Sequence, residues 1–349
     1  MAKSITYKTS GVDIDAGSES IKKVKENIHS TFNSSVITGI GTFGAIYDLS
    51  EIIKKYKNPV LVQSIDSVGT KLIVANMANS HKTIGIDMVA HSCNDVLCQG
   101  AKPITFLDYI AVDKLNPDHI QEVIEGICDG CRDADLPLMG GELAELPGVY
   151  KTGEYDLVGA VTGVVDKSNI IDGSRVVSGD VVLGLASSGL HTNGYSLARN
   201  VFFNIKKLKV DQYIQELECP LGEALLKPHI NYTKPLLSLF NEFDIKGIAH
   251  ITGGGLLDNV PRVLPENCQV IISKKSLNIP PIFQLIEQHG NVPEDDMFRT
   301  FNMGIGLVLI VNPDESEPII KNLNSQDFPT AIIGEVKKGE KEVVISESA

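Results

Sequence analysis

The sequence predicts an α/β fold made of two α/β domains. Three observations carry this. Apolar strand-like runs alternate with stretches of helical periodicity along the chain. The 349 residues are more than one domain needs, at roughly 100–200 residues each. A group of turn residues near position 170 precedes a fresh apolar strand, which divides the chain into residues 1–170 and 171–349.

The elements follow in order. After a charged helical stretch, Pro59–Ile65 reads as a strand running straight into Asp66. Thr83–Gln99 reads as a helix and Ile104–Val112 as a strand. Asn116 and Pro117 supply an N-cap and a proline at the first helical position. Ile120, Val123, Ile124, Ile127 and Cys131 then recur at helical spacing. Leu136–Met139 is a short strand expected to end at two glycines, and Tyr155–Val165 is another strand. Asp172-Gly173-Ser174 and Ser178-Gly179-Asp180 are turns, and Val181–Ala186 opens the second half. A helix from about Asn193 and strands at Ile248–Ile251, Gln269–Ser273 and Ile305–Val311 complete the alternation.

Composition bounds the function. Hydrophobic residues are 43% and charged residues 21%, an ordinary balance for a soluble globular chain. A formal net charge of -13 argues against an extended nucleic-acid partner, although local lysines or helix N-termini still suit a small anion. No apolar run approaches the roughly 18 residues of a membrane span, and Met1–Asp15 has no apolar signal core, so a cytoplasmic protein is expected. Six scattered cysteines include one C-x-x-C, Cys128 and Cys131, without a second ligand pair; reduced structural thiols are expected.

Six motifs are candidates for chemistry. Gly39-Ile40-Gly41-Thr42-Phe43-Gly44 has the form G-x-G-x-x-G, with Asp66 22 residues beyond Gly44. No adequate strand precedes it, which leaves a phosphate-facing loop, with Gly39, Gly41 and Gly44 as nucleotide contacts, or a plain structural loop. Asp66, at the end of a strand, is followed by Gly69, Thr70 and Lys71; the carboxylate suits Mg²⁺, and the hydroxyl and amine suit phosphate. The alternative is a strand-ending turn with a solvated lysine. Asp87, His91 and Asp95 share one helix face at i, i+4 and i+8, either as an oxygen-rich metal site facing Asp66 or as a solvated acidic face.

Gly140-Gly141-Glu142 lets the backbone approach a ligand and adds a metal oxygen at Glu142, or is simply a tight turn. In the polar loop Ser187–Ser196, His191 is placed to polarise a substrate carbonyl or move a proton, with a structural histidine as the alternative. His250, Thr252 and the glycines 253–255 open a probable helix and suit a ribose-phosphate, the alternative being a flexible turn. No G-x-S-x-G, H-E-x-x-H or EF-hand pattern occurs.

Taken together and in order, GVDIDAG (from Gly11), GIGTFGA, DSVGTK, GIDMVAHSCNDVLCQGA, FLDYIA, GGELAELPGVY, SSGLHTNGYSL, AHITGGG, NVPRVLP and FRTFNMGIG resemble the aminoimidazole ribonucleotide synthetases, the phosphoribosylformylglycinamidine cyclo-ligase family. The likeness covers nearly the whole chain. It implies a homodimer whose N-terminal sheets pair into a barrel, and a reaction in which ATP phosphorylates the amide oxygen of formylglycinamidine ribonucleotide before an internal nitrogen closes the imidazole ring. It implies Mg²⁺ held mainly by Asp66 and Asp95, with Asp87 and Glu142 as weaker candidates for metal or nucleotide contact, and Gly141 beside them. It also implies Lys25 reaching the ATP phosphates, His191 and Asn193 facing the reacting amide, and Gly253, Gly254 and Gly255 holding the substrate phosphate. Its N-terminal domain would bind ATP and dimerise, and its C-terminal domain would bind the substrate phosphate. The chain departs from the family at Ser67, where glycine is usual; serine is small enough to be tolerated unless that position needs a left-handed backbone. Another ATP-dependent enzyme of the same superfamily, or a nucleotide-binding scaffold without catalysis, is the alternative.

Overall fold

The computed structural model describes residues 5–347. Its first half contains α1 (Ile14–His29), α2 (Ser50–Lys55), β1 (Pro59–Ser67), α3 (Lys71–Ala78), α4 (Lys82–Leu97), β2 (Lys102–Val112), α5 (Pro117–Ala134), β3 (Leu138–Glu145) and β4 (Tyr155–Asp166). The strands form one sheet in the order β1-β4-β2-β3, antiparallel except for the β2–β3 pair. One face of this sheet is covered by α4, which packs in turn against α5, and α1 packs chiefly against α5. The other face is uncovered, and Leu61, Ile65 and Leu107 stand exposed on it.

The second half contains β5 (Val181–Ala186), α6 (Tyr195–Arg199), β6 (Tyr213–Ile214), β7 (Cys219–Pro220), α7 (Leu221–Leu225), α8 (Thr233–Leu239), β8 (Ile245–His250), α9 (Gly255–Asn259), β9 (Cys268–Ser273), α10 (Pro281–Gly290), α11 (Glu294–Thr300), β10 (Ile305–Val311), α12 (Pro313–Ser325), β11 (Thr330–Lys338) and β12 (Val343–Ser346). Six of its strands form a sheet in the order β12-β9-β11-β5-β10-β8, while β6 and β7 make a small ribbon. A hydrophobic core runs through both halves, joining Met88 and Phe106 to Phe202 and Phe283. No helix among the described residues is long and apolar enough to cross a membrane. All six cysteines are free; Cys128 and Cys131 are buried in α5.

Local chemistry explains the elements that position the site. Asn116 caps α5 by accepting from the Asp118 and His119 amides, with Pro117 in its first turn. The capping lets α5 lie directly on α4, where glycines replace side chains. A Cβ on Gly126 would sit 1.8 Å from the Lys82 carbonyl oxygen, and one on Gly85 would sit 2.2 Å from that of Val123. Helix α4 is therefore buried on nearly every side. The reading of a solvated acidic face is overturned, because Asp87 is fully buried and His91 nearly so.

Two expectations are corrected. Strand β3 does not end at Met139; it continues through Gly140 and Gly141 to Glu145, paired with β2. Gly141 is required there by packing, since a Cβ would fall 2.1 Å from Asp108 Oδ1. The helix expected from Asn193 begins at Tyr195 and continues as a π-turn over Asn200–Ile205. Ser67 sits in the regular strand pairing opposite Val158 and is not among the positive-φ residues, so serine brings no backbone strain.

Candidate active site

The C-terminal end of β1, the middle of α4 and two loops of the second half meet at one cluster. Asp66 ends β1, and His91 Nε2 donates to its Oδ2 at 2.6 Å. Asp95, one turn further along α4, accepts from Ser64 Oγ at 2.9 Å and from His250 Nδ1 at 2.9 Å. The ligand atoms of Asp66, His91 and Asp95 lie within 4.8 Å of one another, as do those of His91, His229 and His250. Asp66 and Asp95 are 25 or more residues from the histidines that face them from other elements, so only the fold brings them together.

Burial pushes the Asp66 carboxyl up, but the hydrogen bond and charge of His91 and the Ser67 amide outweigh it and leave it below its ordinary range. Burial likewise raises Asp95, and His250, His91 and Ser64 overcome this to hold it at about 2. Both carboxylates are thus ionised and accept only. Between them runs a chain of contacts: Asp95 to His250, His250 Nε2 to His229 Nε2 at 3.1 Å, His229 Nδ1 to Thr192 Oγ1 at 3.5 Å, Thr192 Oγ1 to His91 Nδ1 at 2.7 Å, and His91 to Asp66. Burial lowers His91, but Asp66, Asp95 and Asp87 outweigh burial and raise it above its ordinary value. His250 is lowered by burial against the pull of Asp95, and His229 is driven well down by burial and by the neighbouring histidines.

His191 is fully buried and adopts a left-handed backbone, φ 58°, unusual for a residue with a Cβ and characteristic of functional loops. Its Nε2 accepts from the Ser188 amide at 3.2 Å, so Nδ1 carries the proton. Among the described residues that Nδ1–H has no partner, alone among the imidazole donors of the cluster.

The remaining expected site residues fall in several places. Asn193 donates to Thr192 Oγ1 at 3.3 Å, and its Oδ1 lies beside Gly253. Thr252 is held by Asn259 Oδ1 through its amide and its hydroxyl, and Asn259 donates to the Gly253 carbonyl at 3.0 Å, which shapes the loop leading through Gly254 and Gly255 into α9. Thr252, Asp95, His250 and Ser64 line one cleft of about 290 Å³ between the halves, together with Arg262. Thr70 is exposed and shares a hydroxyl contact of 3.2 Å with Ser196. Gly39, Gly41 and Gly44 lie in an exposed loop closed by the Val36–Tyr47 bridge, with Phe43 fully exposed. Lys25 projects to solvent from α1 and forms no ion pair among the described residues.

Several expectations change. Lys71 and Asp87 do not face a phosphate. They are fully buried and paired at 2.6 Å, with Lys71 Nζ donating to the His191 and Lys227 carbonyls at 3.0 and 2.9 Å and Asp87 Oδ1 accepting the His229 amide at 2.6 Å. Burial pulls Lys71 down and Asp87 up to about 6, while the pair's attraction for each other, and for Asp87 the His229 amide, favour the charged forms. Glu142 lies opposite Tyr109, on the row that ends at Ser67, and so on the open face of the sheet. That is three strands, roughly 14 Å, from β1 and on the opposite side from Asp66, so within one chain it cannot share an ion with Asp66 and Asp95. Gly141 packs on Asp108 rather than facing a ligand loop. Both His250 nitrogens are engaged, so His250 offers no free ring nitrogen to a substrate.

Sequence reasoning missed Thr192, His229 and Arg262. Thr192 lay within the polar loop already singled out, and Arg262 within the quoted segment NVPRVLP. His229, in Lys-Pro-His-Ile-Asn-Tyr, carried no spacing signal at all.

Comparison with known proteins bears on this geometry. Residues 47–165 match the N-terminal domain, and residues 177–347 the C-terminal domain, of the AIR synthase related protein family. The phosphoribosylformylglycinamidine cyclo-ligase of Alkaliphilus oremlandii is 48% identical over 341 residues, covering 98% of this chain and 99% of its own. That of Syntrophotalea carbinolica is 50% identical over 340 residues, covering 97% of each. Among solved structures, thiamine-monophosphate kinase from Stenotrophomonas maltophilia matches with a TM-score of 0.69 at 19% identity, covering 94% of this chain and 96% of that one. The hydrogenase maturation protein HypE in complex with ATP matches at 0.66 and 17%, covering 96% and 92%. At that identity the two structures speak for the fold alone.

Proposed function

Because the chain belongs to the phosphoribosylformylglycinamidine cyclo-ligase family, it is an ATP-dependent ring-closing ligase of purine biosynthesis, and we propose how its own residues divide that reaction. An amide oxygen is a poor leaving group. Transfer of the ATP γ-phosphoryl to the amide oxygen of formylglycinamidine ribonucleotide makes it a good one; the internal nitrogen then attacks that carbon, phosphate departs with the oxygen, and the nitrogen loses its proton. The products are aminoimidazole ribonucleotide, ADP and phosphate.

The observation that carries the assignment of roles is the unpaired His191 Nδ1–H, buried in the same cluster as two ionised carboxylates. A fixed donor in a dry site polarises a substrate oxygen and stabilises the charge that grows on it. Asn193, beside the Gly253 loop, orients the same substrate, and the Thr252–Gly255 loop with Arg262 receives its phosphate. Asp66 and Asp95 suit Mg²⁺, since two ionised carboxylates in one cleft meet its preference for oxygen with room left for phosphate and water. Asp66 and Asp95 would hold the ion there, where it would supply positive charge to offset that of the phosphoryl group. The exposed Gly39–Gly44 loop, Thr70 and Lys25 are assigned to the nucleotide; their freedom from other partners supports this for the loop and Lys25.

We place the division of labour near residue 170, with nucleotide, Mg²⁺ and dimerisation in the first half and substrate phosphate in the second. A cytosolic homodimer is proposed as well, supported by the uncovered apolar face of the first sheet. The decisive assay is ADP release with and without formylglycinamidine ribonucleotide. Release that depends on that substrate is the expected result, and ADP formation indifferent to it removes the assignment.

A further inference from the structure

The segment Lys227–Tyr232 has no secondary structure of its own. Four of its backbone groups are instead taken up by side chains from α3 and α4 of the other half, and the Pro228 carbonyl by Ser188 of its own. Lys71 donates to the Lys227 carbonyl at 2.9 Å, Asp87 accepts the His229 amide at 2.6 Å, and Asn94 donates to the Ile230 carbonyl at 2.9 Å while accepting the Tyr232 amide at 3.0 Å. All three of these side chains are fully buried. Three buried polar residues spent on one strap cost desolvation that is balanced only by complete hydrogen bonding, so the position of the strap is tightly specified.

What the strap delivers is one imidazole. His229 is buried between two histidines of the site: its ring stacks on His191 at 3.9 Å with an interplanar angle of 26°, and its Nε2 faces His250 Nε2 at 3.1 Å. The direction of that second contact is fixed. His250 Nδ1 faces a carboxylate oxygen, which accepts, so in the neutral imidazole Nδ1 carries the proton, Nε2 bears a lone pair and His229 donates to it. A donor on one side of His250 and an acceptor on the other hold a single tautomer and a single ring orientation, as outer partners do for metal-site and catalytic histidines. Lys71 adds a second hold, since the same ammonium that fixes the strap also fixes the His191 carbonyl at 3.0 Å.

We propose that His229 is the positioning residue of the substrate side of this site: its Nε2–H locks His250 onto Asp95, its ring face sets the plane of His191, and Lys71, Asp87 and Asn94 place it from the opposite half of the molecule. The consequence for turnover rests on the ring-closing reading above; the consequence for His250 does not.

The test uses the full-length protein and two variants, His229→Leu, which keeps bulk but donates nothing, and His229→Gln, which keeps an N–H and an acceptor at similar reach. Thermal melting checks that each folds. Substrate-dependent ADP release gives kcat and KM, and long-range proton–nitrogen NMR of the ligand-free protein, with His250 assigned by its own substitution, reads the tautomer. In His229→Leu, kcat falls about tenfold or more while KM for ATP stays within about twofold, and His250 loses its single Nδ1–H pattern. His229→Gln restores the pattern and brings kcat to within about threefold of the wild type. Wild-type kcat in His229→Leu, or a His250 pattern that does not change in it, overturns the proposal. If the wild type shows no substrate-dependent ADP release, the ring-closing reading fails, and the His250 spectrum still decides the role of His229.

Discussion

Asp95 is one of the residues at which the two halves touch chemically, taking a hydroxyl from β1 on one oxygen and an imidazole from β8 on the other. Substituting asparagine keeps the shape but removes the charge that His250 donates to and that the proposed Mg²⁺ would need. Asp95→Asn is expected to fold, with its melting temperature close to wild type, and to lose substrate-dependent ADP release by about a hundredfold or more. Wild-type turnover in that variant would take Asp95 out of the proposed metal site. Asp66, Asp95 and His191 were legible in the sequence, because each sits in a dense motif whose polar residues have no other obvious employment. Lys71 was legible as a charge but not as a buried one: its partner Asp87 lies 16 positions on, and the carbonyls it serves lie 120 and 156 residues away. His229 was invisible for the same reason. Its meaning comes entirely from contacts with Asp87, His191 and His250, none of which leaves a local pattern.

At the scale of elements, α4 and α5 govern the site because α4 carries Asp87, His91 and Asp95 on a backbone pressed against α5. Gly126→Ala sets two effects against each other. Alanine gains about 1 kcal/mol of helix propensity over glycine. Its Cβ, however, would meet the Lys82 carbonyl at 1.8 Å, a backbone atom that cannot swing away, and overpacking of this kind costs about 1–3 kcal/mol or more. The clash wins, so chemical denaturation is expected to show a net loss of about 2 kcal/mol, together with reduced activity as α4 shifts. The same two helices carry a pH dependence. His81, at the N-cap of α4, is held at about 4 by burial, and its Nδ1 contacts the Tyr155 hydroxyl at 3.0 Å; His119, in the first turn of α5, is held at about 4 by burial and by His81. Their folded values lie below the ordinary histidine value, so the unfolded chain takes up protons first. Stability is then full above about pH 6.5, falls as pH drops from there towards 4, and levels off below. Melting temperature against pH should show that slope, and it should be shallower in His81→Gln. The order and type of these elements were readable from apolar spacing and from the Asn116-Pro117 cap. The end of β3 was not, because Gly140-Gly141 reads as a break when nothing local reveals that Asp108 lies against it.

At the scale of the molecule, the first sheet has one face against α4, and the other face, among the described residues, leaves large apolar side chains exposed. Leu61 is 62% and Ile65 71% exposed there, on the same face as Leu107, a contiguous apolar surface of the kind that monomers rarely leave bare. The proposed dimer would cover it. Sedimentation is expected to give about twice the 37.7 kDa chain mass, and Leu61→Lys with Ile65→Glu to give a single chain; a wild-type monomer at micromolar concentration would dispose of the dimer. The cluster itself has a different consequence. Its hydrogen bonds join positions 25, 101, 142 and 155 residues apart, drawn from both halves. Closing loops of that length costs entropy that only late, long-range contacts repay. The strap at Lys227–Tyr232 gains its contacts with Lys71, Asp87 and Asn94 only once α3 and α4 are in place. In time, the chain is a protein before it is an enzyme: on refolding, chemistry returns only when the last segment is tied down.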